Sequence, residues 1–119
     1  MNNKKTTYLI TAILLTFLIL TACRGAGTIT YTSGTFEGIG EGGHYGPISV
    51  AVTIDDDGRI TDVEVTDHIE TPHFAERAFG YLIPAVLEAQ SADVDAIAGA
   101  TATSNAFIKA VEDALNNAQ

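Results

Sequence analysis

From Ile48 to Ile54 the chain alternates strictly, with Ile48, Val50, Val52 and Ile54 on one side and Ser49, Ala51 and Thr53 on the other. A period of two marks a strand with one buried face. Asp55-Asp56-Asp57-Gly58 follows with turn chemistry, and Thr61, Val63 and Val65 continue as a second strand, so an antiparallel hairpin is predicted. Ile60 falls on the other phase and predicts a bulge or a two-sided start to that strand. Upstream, Gly34, Gly38, Gly40, Gly42, Gly43 and Gly46 surround Phe36, Ile39 and Tyr45. So many glycines suit either a glycine-rich edge strand with a loose hairpin or a backbone that a ligand approaches closely. They do not form a dinucleotide fingerprint, because no strand precedes them and no helix follows at the required spacing.

Beyond residue 70 the period lengthens. Phe74, Ala78, Phe79 and Leu82 predict a helix, and Pro84 cannot continue it without breaking a hydrogen bond. Proline suits a first helical position, so a short further helix carrying Val86 and Leu87 is expected to end near Ala89-Gln90-Ser91. Phe107, Ala110, Val111, Ala114 and Leu115 recur at helical spacing and place the start of a last helix between Thr101 and Ser104. The expected fold class is α+β: a small antiparallel sheet packed against two to three helices in a single domain, residues 34–119.

The amino terminus is of a different kind. Lys4 and Lys5 precede an apolar stretch from Tyr8 to Leu20, shorter than the ~20 residues of a spanning helix. It ends in Leu20-Thr21-Ala22-Cys23 and resembles a bacterial lipoprotein signal. Residues 1–22 are thus expected to be removed, Cys23 to carry the lipid, and residues 23–33 to tether the domain to a membrane outside the cytoplasm. An uncleaved anchor is the alternative. Cys23 is the only cysteine, leaving none for a disulfide or a thiolate metal site. Removal of the first 22 residues leaves 97 of 119, enough for one small domain. It also leaves four of the six basic residues against fifteen acids, a net charge of −11. Nucleic acid is excluded as a partner on that balance, and anionic lipid would repel the domain, so membrane attachment must come from the lipid.

Asp95-Ala96-Ile97-Ala98-Gly99-Ala100-Thr101 places an acid six residues before a threonine, with two small residues between them and the helix start. A helix N-terminus attracts a phosphate through its free N–H groups, and Gly99 and Ala100 allow close approach. This stretch resembles the site where a flavinyltransferase attaches FMN by a phosphoester bond to threonine in the FMN-binding domain family. The order of elements from Gly34 to Leu115 is similar to that family as well. Ala98 departs from the Ser or Thr usual in the motif, and His73 stands where glycine is frequent. The resemblance implies FMN held covalently on Thr101, with Asp95, Gly99 and Ala100 as the flavinylation motif. It also implies Glu70, Thr71 and Pro72 close to the flavin, and Thr103 and Ser104 at the helix start beside it. The implied function is a membrane-tethered electron carrier rather than a self-contained enzyme. Its partners would be a flavinyltransferase, a membrane reductase or quinol as donor, and a neighbouring acceptor. Two alternatives are a flavin-free lipoprotein binding module and a reversible FMN binder.

Two other chemistries fit the sequence poorly. Asp55, Asp57, Gly58, Ile60 and Glu64 match positions of a calcium-binding helix-loop-helix, but Thr53 spoils the first ligand position and the flanks alternate as strands. His44, His68 and His73 match no standard metal spacing. No catalytic acid, base or nucleophile and no metal site is assigned.

Overall fold

The structure is a computed structural model and describes residues 30–119. The segment read as a signal, Cys23 and most of the expected tether lie outside the described residues. Strands β1 (Gly34–Gly40), β2 (Ile48–Ile54) and β3 (Ile60–Asp67) form an antiparallel meander with β2 in the centre. Two helices follow, α1 (Pro72–Ala89) and α2 (Thr101–Asn117), giving the α+β arrangement expected.

The strict alternation of β2 becomes burial: Ile48, Val50 and Val52 are wholly enclosed and Ile54 nearly so. Across from them lie Phe107, Ala110, Val111 and Ala114 of α2, and Ala78, Leu82 and Val86 of α1. Phe79 of α1 and Phe107 of α2 meet with ring centroids 5.7 Å apart and join the two helices. Thr32 already belongs to the domain, its N–H donating to the Ala118 carbonyl at 2.7 Å.

The hairpin closes at Asp55, whose side chain accepts the N–H groups of Asp57 and Arg59 at 2.9 and 3.0 Å, while Gly58 takes φ +76°. That carboxylate is therefore occupied in holding its own turn. The bulge foreshadowed by Ile60 is present: Thr53 pairs with Asp62 but Ile54 pairs with Ile60, leaving Thr61 unmatched. The extra residue rotates Ile60 into the core, where it is buried beside Ile54.

Pro84 does not start a new helix. α1 runs through it as one helix of 18 residues. The missing N–H would have bonded the Gly80 carbonyl, and both Gly80 and Pro84 face solvent, where water can take that carbonyl. The buried row Ala75, Ala78, Phe79, Leu82 and Val86 continues unbroken past the proline, so packing outweighs the local loss. α1 ends at Gln90, in the left-handed region at φ 55°. Its side-chain amide locks onto β3, accepting from the Ile60 N–H at 2.8 Å and donating to the Ile60 carbonyl at 2.9 Å.

The glycines of β1 serve the helix above them. A Cβ on Gly38 would strike the backbone of Ala110 and Ala114, and one on Gly40 that of Ala106 and Ala110. The edge strand and α2 thus touch backbone to backbone. Asp113 accepts the Ile39 N–H at 3.0 Å and Asn117 donates to the Glu37 carbonyl at 3.0 Å. These bonds occupy two edge groups that would otherwise be open to another strand.

Candidate functional site

The segment between the helices approaches α2 through one tight turn. The Ala100 N–H donates to the Ile97 carbonyl at 3.0 Å, and Gly99, third of the four residues, takes φ +84°. A positive φ there favours glycine for conformational reasons, in addition to its small size. A Cβ at Gly99 would meet nothing within 4 Å, so the outer side of the turn is open.

Ser104 secures this turn from below. Its hydroxyl is fully buried, donates to the Ala100 carbonyl at 2.7 Å and accepts the Ile97 N–H at 3.1 Å. The side chain expected beside the cofactor is thus committed to shaping the loop, and lines neither neighbouring cleft. Ala100 occupies the N-cap position of α2 with no side-chain cap bond. Neither Thr101 nor Thr103 caps the helix, although ordinary capping is what threonine there most often provides. Ser104 N–H, bonded to the Ala100 carbonyl at 2.9 Å, is the first paired donor of the helix, so the preceding N–H groups face outward without a side-chain partner.

Two clefts meet at this turn. The smaller, about 280 Å³, is lined by His44, Tyr45, Glu70, Thr71, Phe74 and the run from Gly99 to Thr103. The structure therefore brings Glu70 and Thr71 beside Thr101 and Thr103 across some thirty residues of sequence. Thr101 is exposed at the mouth, while Thr103 is buried. Glu70 is only 5 % exposed and accepts the Tyr45 N–H at 3.3 Å. Its own N–H donates to Nδ1 of His68 at 3.1 Å. Gly43 makes this possible, since a Cβ there would collide with the Gly46 carbonyl and the Glu70 carboxylate. The glycine-rich loop after β1 thus folds over Glu70 and delivers His44 and Tyr45 to the cleft. Pro72 begins α1 as its first residue, exposed and outside the cleft lining. Asp95 is exposed on the same loop and lines neither cleft.

The larger cleft, about 450 Å³, lies on the other side of Phe74. It is bounded by Phe74, Arg77, Ala78 and Tyr81 of α1 and by the loop from Ala96 to Ala100. Phe74 and Tyr81 keep more than half their surface in solvent. Sequence reasoning assigned neither Arg77 nor Tyr81 to a site. The signal was a second stripe on α1: exposed residues 74, 77 and 81 lie on one helical face, bordering the buried row at Ala78. Among the described residues no three of His, Cys, Asp and Glu gather as a metal site, and the histidine rings pack on aromatic ones, His44 against Tyr45, His68 against Phe79 and His73 against Phe74.

Comparison with known proteins places this geometry. The sequence profile of the FMN-binding domain matches residues 43–116. An uncharacterised protein of Treponema pallidum is 41 % identical over 86 residues, covering 72 % of this chain and 23 % of that protein. An NADH:acrylate oxidoreductase of Vibrio harveyi is 33 % identical over 88 residues, covering 74 % of this chain and 9 % of the enzyme. The chain therefore spans about a quarter and a tenth of these curated relatives. A solved structure of a Clostridium perfringens protein superposes with a TM-score of 0.57 at 26 % identity, covering 75 % of this chain and 89 % of that one.

Proposed function

Because the chain belongs to the FMN-binding domain family, we propose that it carries FMN covalently on Thr101 and relays electrons while tethered to a membrane outside the cytoplasm. The residues present fit the cofactor. The start of α2 offers outward N–H groups with no side-chain cap, which suit a phosphate. The turn at Gly99 leaves room above it, and the clefts on either side supply aromatic faces and hydrogen-bonding groups. The observation that carries the reading is Thr101 itself: an exposed hydroxyl at an uncapped helix start, at the mouth of a cleft, on a turn pinned from beneath by Ser104.

FMN, once bound, supplies the electron chemistry, and the protein supplies attachment, orientation and surroundings. Thr101 provides the oxygen of the phosphoester: its hydroxyl gives up its proton and displaces the leaving group from an activated flavin phosphate that the flavinyltransferase supplies, so one phosphorus–oxygen bond forms as another breaks. Gly99 and Ala100, with Asp95 four residues before Gly99, form the stretch that a flavinyltransferase recognises. Glu70 and Thr71 offer acceptors and a hydroxyl to the polar part of the cofactor. Lipidation of Cys23 holds the domain close to a membrane reductase or quinol that donates electrons and to a neighbouring carrier that accepts them. The relation to an oxidoreductase of Vibrio harveyi favours electron transfer over a flavin-free binding module.

The test is co-expression with a flavinyltransferase followed by ultraviolet fluorescence in a denaturing gel. Emission is expected in the band of the native chain and absent from Thr101→Ala. Fluorescence surviving denaturation in Thr101→Ala would refute the attachment site. Emission lost from both on denaturation, with yellow native protein, would establish reversible binding instead.

A further inference from the structure

We propose that the three-ring end of FMN lies in the larger cleft, between Phe74, Arg77 and Tyr81 of α1 and the Ala96–Ala100 loop, with Arg77 as the residue that sets the flavin potential. This rests on the reading of Thr101 as the attachment point.

The two clefts divide the cofactor between them by size and by charge. The smaller, at about 280 Å³, lies at the lower limit of the roughly 300–1,000 Å³ usual for small-molecule pockets, and the phosphate end already needs part of it. The larger has about 450 Å³ and adjoins the first, sharing Phe74, Gly99 and Ala100 as walls. A ligand anchored at Thr101 can therefore reach it over the Gly99 turn, whose outer side is open.

Charge points the same way. Glu70 presents a nearly buried carboxylate to the smaller cleft, with one N–H donor from Tyr45. Acceptor oxygens there suit the hydroxyls of the ribityl chain. They do not suit a ring that takes up two electrons and one proton and so gains one negative charge, because a like charge nearby opposes that gain. Among the described residues Arg77 is the one arginine or lysine lining either cleft, the smaller having only the imidazole of His44 beside Glu70. Its guanidinium cannot lose its proton and combines charge with planar stacking. Beside it, Phe74 and Tyr81 expose 54 % and 59 % of their surface, apolar area that a flat ring would cover.

The experiment uses the flavinylated full chain, with intact mass showing one FMN per chain in every variant before any titration. Reductive titration of Arg77→Gln with dithionite and a reference dye is expected to give a reduced-to-oxidised ratio about tenfold lower at a fixed potential, about 30 mV for a two-electron couple. Arg77→Lys should recover most of the loss. Tyr81→Leu should raise flavin emission several-fold, since a contacting phenol quenches it. Both side chains are exposed, so these variants are expected to fold as the native chain does, with circular dichroism as the check. Native potential in Arg77→Gln, with emission raised by Tyr45→Leu rather than by Tyr81→Leu, would overturn the assignment and place the ring in the smaller cleft. Should no FMN addition form on the native chain, the attachment reading fails separately. Free FMN titrated into the same variants then decides the cleft: relief of quenching in Tyr81→Leu supports it and relief in Tyr45→Leu overturns it.

Discussion

The hydroxyl of Ser104 joins the Ile97 N–H to the Ala100 carbonyl from a fully buried position, so its removal leaves the Ile97 N–H without that partner, while the Ala100 carbonyl keeps the Ser104 N–H. Ser104→Ala is expected to cost about 1–3 kcal/mol, read from urea unfolding, and to slow flavinylation relative to the native chain. Unchanged stability would show that the turn holds itself. Gly99 behaves differently. Gly99→Ala introduces no clash but forces a side chain into φ +84°, a penalty of order 1 kcal/mol. At this scale the sequence made the start of α2 near Thr101 and the small residues before it legible, because spacing and small size are local properties. It did not reveal that Ser104 looks inward while Thr101 looks outward. Residues three apart lie on neighbouring sides of a helix, so spacing alone does not separate them, and only the packed sheet decides which of the two borders the interior.

Between elements, the closest fit is that of β1 against α2. Gly40→Ala would drive a methyl group into the backbone of Ala106 and Ala110, where no side chain can move aside. Destabilisation of about 1–3 kcal/mol or more is expected by denaturant titration, with Gly42→Ala, which meets only the end of Lys109, affected through its φ of +93° rather than through contact. In α1, Pro84→Ala restores the N–H that the Gly80 carbonyl lacks. Allowing for the freer unfolded chain, it should stabilise by about 1–2 kcal/mol and raise the melting temperature. A lower melting temperature would contradict the continuous helix. Strand periodicity predicted β2 and the bulge at Ile60 because alternation records burial directly. The continuity of α1 escaped prediction because proline's penalty is local whereas its compensation, the buried row from Ala75 to Val86, is tertiary. The glycines of β1 were ambiguous for a related reason: close approach to a ligand and close approach to a helix leave the same mark in a sequence.

As a whole the described domain sets fifteen acids against three basic residues, Arg59, Arg77 and Lys109. Self-repulsion on that scale weakens the folded state, so the melting temperature should rise as salt shortens the screening length from about 30 Å at 0.01 M to about 8 Å at 0.15 M. A flat salt dependence would mean that the charges are already balanced locally. The two clefts belong to this scale too, since each is built from segments some twenty to sixty residues apart and has no signature in any one of them. The motif from Asp95 to Thr101 could be recognised in the sequence, but the aromatic and basic face that α1 turns toward it could not. The account rests on Thr101, and the most direct test is peptide mass spectrometry of the full chain co-expressed with a flavinyltransferase. It predicts a single FMN phosphoester on the peptide that begins after Arg77 and contains Thr101, with fragment ions assigning the addition to that residue. An addition on Thr103 or Ser104, or no addition to a chain that still folds, would contradict it.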